Sequence, residues 1–186
     1  MLTILPLNQE NRGKFNQVDA HFLAGDRVLL RVTHKGFSLD YTSLPVAEWR
    51  TLKPYPADTE KLISDVNAAC YLAFVDGQQA GQCVIRLGSH QLCELVDIRT
   101  DSRFRRQGVA SHLLNACIEW AQKEGRAGIR IETTDEQPVA CQFLENCGFT
   151  LGGVDRLWHS ALPEQVKRVP ATRETVLVYY HFFERM

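Results

Sequence analysis

Long apolar runs are missing from this sequence. No stretch approaches the ~20 consecutive apolar residues that a bilayer-spanning helix needs, so a transmembrane helix is excluded. The opening residues Met1-Leu2-Thr3-Ile4-Leu5-Pro6 carry no basic flank and soon reach Asn8, Gln9 and Glu10. That pattern does not fit a signal peptide, and a cytoplasmic protein is expected. Excess charge is missing too. The 21 Lys and Arg stand against 22 Asp and Glu, for a formal net charge of -1, which gives no bulk attraction to nucleic acid or anionic membrane. The six cysteines, Cys70, Cys83, Cys93, Cys117, Cys141 and Cys147, form no C-x-x-C pair. Several sit in apolar stretches, as reduced, buried thiols do. The six histidines show no H-E-x-x-H spacing, and no metal site is expected. Repeats, low-complexity segments, the G-x-x-x-x-G-K-[ST] phosphate loop and the dinucleotide glycine fingerprint are also absent.

Apolar material is plentiful. Hydrophobic residues make up 45% of the 186, enough for one core, and a single domain over residues 1–186 is expected. Arg27 to Val32 and Phe37 to Tyr41 read as strands around His34-Lys35-Gly36. A polar stretch with Pro45, Pro54 and Pro56 follows, with a short helix at Asp58 to Val66. Cys70 to Val75 and Ala80 to Leu87 are strand-like around Asp76-Gly77, a strong hairpin signal. Leu92 to Thr100 is a further strand. Val109, Leu113, Leu114, Cys117 and Trp120 recur at helical spacing, which predicts an amphipathic helix from about Gly108 to Lys123, ended by Gly125. Gly128 to Thr133 alternates as a strand. Pro138 to Asn146 reads as a helix with proline at its first position, and Phe149 to Leu151 and Thr175 to Phe183 as strands. Antiparallel strands, a strand–helix–strand–helix unit and closing strands make a mixed α/β (α+β) layer fold.

The strand Leu92–Thr100 runs through the basic turn Arg103-Phe104-Arg105-Arg106 into the helix beginning near Gly108. A helix entered this way exposes unpaired N–H groups and the positive end of its dipole, a setting that binds phosphate. Gly108 lets the backbone approach a ligand, Ala110 keeps the first turn small, and Arg105 and Arg106 add positive charge.

Arg105-Arg106-Gln107-Gly108-Val109-Ala110 matches the R/Q-x-x-G-x-G/A pyrophosphate loop of the GNAT superfamily of N-acetyltransferases. The approach from Asp97 to Phe104 resembles the strand before that loop. Gly128 to Thr133, Ala140-Cys141 and Cys147 to Asp155 resemble the second half of the family's core. Glu174-Thr175 with Tyr179-Tyr180-His181-Phe182-Phe183 is similar to the streptothricin acetyltransferase branch, as are Gly36-Phe37-Ser38-Leu39 and the proline-rich stretch after them. The resemblance implies a mostly antiparallel sheet splayed between Leu92–Thr100 and Gly128–Thr133, with helices on both faces. It implies acetyl-CoA as co-substrate. Pantetheine would lie along Ile98, Arg99 and Thr100, and the diphosphate on Arg105, Arg106, Gln107, Gly108, Val109 and Ala110. The N–H of Ile98 would meet the thioester carbonyl, whose oxygen gains negative charge during attack. Gln137 stands where many relatives carry a cofactor-touching asparagine, and its amide can donate and accept as well.

The implied reaction is attack of a neutral amine on a thioester. A lysine-like amine, with a pKa of about 10.4, is mostly protonated at neutral pH, so a base is needed. Asp97 and Glu94 are the candidates. Their odd separation puts them on opposite faces of a regular strand, so that one at most would face the pocket. The family's general-acid tyrosine, five residues before Phe149, is Leu144 here. Tyr179, Tyr180 or water would then protonate the leaving thiolate. The implied acceptor is a small-molecule amine, the β-lysine amine of streptothricin. Another small-molecule or protein amine, and a non-catalytic acyl-CoA-binding module, are the alternatives. Trp49, Asp58, Glu60 and Asp65 are placed on the substrate side. No nucleic-acid or membrane partner is expected, and a homodimer is the commonest assembly for a soluble oligomer.

Overall fold

The computed structural model describes residues 1–34, 36–158 and 174–184, so Lys35 of the expected turn lies outside the described residues. In chain order the elements are β1 (Leu2–Pro6), β2 (His21–Thr33), β3 (Gly36–Thr51), α1 (Thr59–Ser64), β4 (Ala68–Val75), β5 (Gln78–Leu87), β6 (Leu92–Thr100), α2 (Val109–Lys123), β7 (Gly128–Thr134), α3 (Pro138–Asn146), β8 (Thr150–Asp155) and β9 (Val176–Phe182). Single 3-10 turns lie at Arg12–Lys14 and Ser102–Phe104. β6 and α3 have the bounds their residue patterns predict. β1 was not anticipated. β2 and β3 run well past the predicted pieces, and β3 continues through Pro45. They form a two-stranded ribbon, so each strand has an unpaired edge where proline costs no ladder bond.

The chain divides into two compact units. One comprises Met1–Phe22, Trp49–Arg130 and the residues from Phe182; the other comprises Leu23–Glu48 and Ile131–His181. In the first unit β1, β4, β5 and β6 pair antiparallel in that order. The β4–β5 turn holds Asp76 at φ 49° and Gly77 at φ 78°, the doubly left-handed geometry that suits the strands' twist. α2 packs on this sheet through Val109, Leu113, Leu114, Cys117 and Ala121, while Trp120 of the predicted stripe is only half-buried. Cys117 Sγ lies 3.3 Å from Cys83 Sγ of β5. All six cysteines are free thiols, and five are buried. The neighbouring Val84 turns to the other face. There it joins Leu7, Phe15, Cys70 and Leu72 in a cluster covered by Tyr55, Leu62, Ile63 and Val96. α1 lies on that side, with Asp58 as its N-cap accepting from Glu60 N and Lys61 N, an interaction worth about 1 kcal/mol.

β6 carries one irregularity. Val84 pairs with Asp97, but the next residue, Ile85, pairs with Leu95. Val96 is therefore an extra residue, a β-bulge that bends the strand and shifts its alternation.

In the second unit β7, β9 and β8 are neighbours in that order, and β8 and β9 are antiparallel, with Leu151 opposite Tyr179. The β2–β3 ribbon is tied to the chain after β7. Val28 N donates to Asp135 O at 2.7 Å, and Arg27 Nε to Asp135 Oδ2 at 2.8 Å. No described helix is long and apolar enough to cross a membrane.

The seat of α2 on β5 depends on a glycine. A Cβ at Gly81 would lie 2.8 Å from Arg99 O, 2.9 Å from Val109 Cγ1 and 3.0 Å from Leu113 Cδ1. Gly81→Ala is expected to cost about 1–3 kcal/mol. Urea unfolding should show a lower midpoint at unchanged m; a wild-type midpoint would mean that α2 can shift without cost.

Candidate active site

β6 ends at Thr100, and the chain turns at once. Asp101 is 1% exposed and holds the turn. Its carboxylate accepts from Arg103 N at 3.0 Å, Arg103 Nε at 2.9 Å, Arg103 Nη2 at 3.1 Å and Asp19 N at 3.2 Å. Its own N–H donates to Ala80 O at 2.8 Å, and Ser102 N donates to Asp19 O at 2.9 Å. The Arg105 guanidinium donates to His21 O, and Gln107 Nε2 to Arg103 O at 3.4 Å. Two arginines of the basic turn are thus committed to fixing the loop, and Arg106 stays exposed.

Arg106 at φ 59° and Gly108 at φ 79° are both left-handed, on either side of Gln107. α2 then starts at Val109, which is buried, followed by half-buried Ala110. No side chain caps the helix, and no acidic residue lies in its first turn. The first i→i−4 bond runs from His112 N to Gly108 O, so the N–H groups before it precede the hydrogen-bond ladder. Uncapped donors, a helix dipole and an exposed arginine fit a diphosphate.

Ile98 pairs with Cys83 and Thr100 with Gly81, so both turn to the α2 face of the sheet. Arg99 turns the other way, and its side chain is spent inside the protein. Its Nε donates to Asp97 Oδ1 at 2.9 Å and its Nη1 to Lys53 O at 2.9 Å. Arg99 therefore offers a ligand only its backbone. Asp97 Oδ2 also accepts Gln82 Nε2 at 2.8 Å. Both Asp97 oxygens have partners, and the residue is buried.

The expectation that Asp97 and Glu94 face opposite ways is corrected by the bulge. Asp97 pairs with Val84, and Glu94 pairs with Arg86, two residues further on. Both carboxylates, with Val96 between them, lie on the α1 face. Glu94 Oε2 accepts Arg86 Nε at 3.0 Å and Nη2 at 2.7 Å; Oε1 has no partner among the described residues.

Gln137, Tyr179 and Tyr180 belong to the second unit. Gln137 is the N-cap residue of α3, half-buried, and its side chain makes no capping bond. Leu144 is buried in the same helix. Tyr179 is fully buried, with its hydroxyl 3.4 Å from Glu145 Oε1. Burial, with the Cys141 thiol beside it, raises its pKa far above the ordinary phenol value. Tyr180 is half-buried, its ring lying over Gly152. The acidic residues placed on the substrate side have local partners. Asp58 caps α1, Glu60 pairs with Arg12, and Asp65 accepts Asn67 N at 2.8 Å. Trp49 is exposed and edge-on to His21. Among the described residues no group of His, Cys, Asp or Glu is arranged to hold a metal. Asp101, Gln82 and Asn16 were missed by sequence reasoning. Their roles rest on hydrogen bonds to residues distant in the chain, which no local pattern reports.

A bulged strand leading into an uncapped, glycine-led helix in a mixed α/β fold offers a seat for a phosphate-bearing ligand. The chain belongs to the Acetyltransferase (GNAT) family, which matches residues 35–149. It is 30% identical over 162 residues to a streptothricin acetyltransferase of Escherichia coli, covering 87% of this chain and 86% of that protein. It is 26% identical over 186 residues to streptothricin acetyltransferase A of Bacillus subtilis (strain 168), covering 97% and 99%. Its fold matches that of a Bacillus anthracis protein crystallised with acetyl coenzyme A, at a TM-score of 0.85, 24% identity and coverage of 99% and 98%.

The loop's anchor titrates. Hydrogen bonds from Arg103 hold Asp101 below its ordinary pKa of 3.8, against the opposing effect of burial. A depressed carboxylate stabilises the fold above its unfolded pKa, and that contribution is lost as pH falls through the folded value. Asp101→Asn should therefore lower the unfolding midpoint at pH 7, with the gap to wild type closing below about pH 4. A gap that is the same at pH 7 and pH 3 would count against this anchor.

Proposed function

We propose that this chain is an acetyl-CoA-dependent N-acetyltransferase, one catalytic domain working in the cytoplasm, whose acceptor is the β-lysine amine of streptothricin. The observation that carries the cofactor is the uncapped first turn of α2 behind left-handed Arg106 and Gly108. The acceptor is supported by the similarity, over most of the chain, to proteins named streptothricin acetyltransferase.

Acetyl-CoA supplies the acetyl group, already activated as a thioester. The first-turn N–H groups of α2, with Arg106, Gln107 and Gly108, take its diphosphate. The backbone at Ile98 and Thr100 aligns the pantetheine arm, and the Ile98 N–H faces the carbonyl oxygen where charge develops. The amine must shed a proton. Asp97 has both oxygens engaged, so Glu94 takes that proton at Oε1, directly or through water. The departing thiolate takes its proton from water. Tyr179 stays in the core, where its hydroxyl faces Glu145.

Gly108→Asp tests the cofactor. It would force a β-carbon into left-handed backbone and set an anion where the diphosphate belongs. Calorimetry should show acetyl-CoA affinity reduced about tenfold or more, equivalent to ~1.4 kcal/mol. Unchanged affinity would remove this loop from the cofactor site.

The acceptor is tested by following CoA release with streptothricin beside spermidine and a lysine peptide. Streptothricin should give the highest kcat/KM, rising with pH as the amine loses its proton. If it does no better than the simple amines, the acceptor assignment fails and the acetyltransferase assignment stands.

A further inference from the structure

Gln82 is fully buried in β5, opposite Leu72 and on the same face as Val84. Asn16 N donates to its Oε1 at 2.8 Å, and its Nε2 donates to Asn16 Oδ1 at 3.1 Å and to Asp97 Oδ2 at 2.8 Å. Asn16 is left-handed, at φ 62°, a conformation that asparagine tolerates. It clamps Tyr55 in turn, donating from Nδ2 to Tyr55 O at 2.9 Å and accepting from Tyr55 N at 3.0 Å. On the other side, Arg99 Nε donates to the two Asp97 oxygens at 2.9 Å and 3.1 Å, and Arg99 Nη2 donates to Oδ1. Arg99 Nη1 reaches Lys53 O at 2.9 Å. Lys53 and Tyr55 are two residues apart, so the bonds close a ring through Arg99, Asp97, Gln82 and Asn16.

Stability alone does not require this ring. Buried ion pairs can be replaced by apolar side chains at little cost, and Tyr55, one member of the ring, packs on the apolar cluster of this face. What the ring fixes is the backbone of Asp97. That residue follows the bulge at Val96, where the ladder to β5 is interrupted. Ladder bonds hold β6 least at this point, and the Asp97 side chain, 6% exposed and met by three donor groups, holds it instead. The Ile98 N–H belongs to the peptide that leaves Asp97. A peptide is planar, so its direction follows from the two Cα atoms it joins and the torsions beside them. An anchored Asp97 leaves that N–H little freedom to swing.

We propose that Asp97 is a positioning residue: anchored by Gln82 and Arg99, it aims the Ile98 N–H at the thioester oxygen that gains charge as the amine attacks. This rests on the acetyltransferase reading, with Ile98 as the donor, and not on streptothricin as the acceptor.

The test is Asp97→Asn. It keeps the shape but offers one acceptor oxygen where three donor groups converge, so its amide nitrogen meets a donor in either orientation. CoA release is followed with spermidine or streptothricin, whichever wild type uses. The variant should lower kcat about tenfold, a part of the roughly hundredfold or more that a whole oxyanion donor contributes. Calorimetric affinity for acetyl-CoA should be unchanged, and the rise of kcat with pH should keep its shape. The loss should shrink with the dithioacetyl analogue of acetyl-CoA, whose thiocarbonyl sulfur accepts hydrogen bonds weakly. A merely structural defect lowers both donors alike. Equal losses with the two donors, a wild-type kcat, or an acetyl-CoA affinity that falls in step with kcat overturns the proposal. So does a flattened rise with pH, which would make Asp97 the base. Gln82→Met removes one of the three donors at similar volume, and it is read by the same measures if Asp97→Asn does not fold. Wild-type protein that binds acetyl-CoA but releases no CoA with either amine fails the acetyltransferase reading itself, and the proposal with it.

Discussion

One extra residue in one strand organises the chemistry of the first unit. Without the bulge at Val96, β6 would alternate regularly, and Glu94 and Asp97 would lie on opposite sides of the sheet. With it, both carboxylates and Val96 share the α1 face, and Ile98 and Thr100 still turn toward α2. The strand thus presents the Ile98 and Thr100 side chains on the α2 face and its acidic side chains on the other.

The two carboxylates end in different roles because their neighbours differ. Asp97 sits opposite Val84 and within reach of Gln82 and Arg99, and all its acceptor capacity is used. Removing a partner from such a buried set leaves an unpaired charge, so it serves better as an anchor than as a group that titrates in each turnover. Glu94 faces Arg86, whose two contacts both fall on one oxygen. The loop after β6 shows the same division. Arg103 and Arg105 secure it through Asp101 and His21, while Arg106 and Gly108 shape the open end.

Much of the fold was legible in the residues. The helical spacing of Val109, Leu113, Leu114 and Cys117 located α2, and Gly108 and Gly125 marked its ends. Asp76-Gly77 located a hairpin, and Pro138 the start of α3. These signals work because side-chain burial and turn geometry leave local traces at fixed periods. The ribbon was under-read. Beyond Tyr41, β3 is largely exposed and carries Pro45, so neither apolar alternation nor composition marks it as a strand.

By itself the sequence determined the glycine-led, uncapped start of α2, because backbone conformation at Gly108 and the lack of a capping side chain are local properties of adjacent residues. It also determined the family, through motifs spaced along most of the chain. Only the tertiary structure decided which carboxylate keeps an oxygen without a partner among the described residues and which is sealed. That depends on Gln82 and Asn16, 15 and 66 residues away along their hydrogen bonds, and on a strand register that one bulge shifts. A pattern of period two reads the faces of a regular strand. It cannot see the extra residue, since the bulge is defined by the partner strand across the sheet rather than by the strand that carries it.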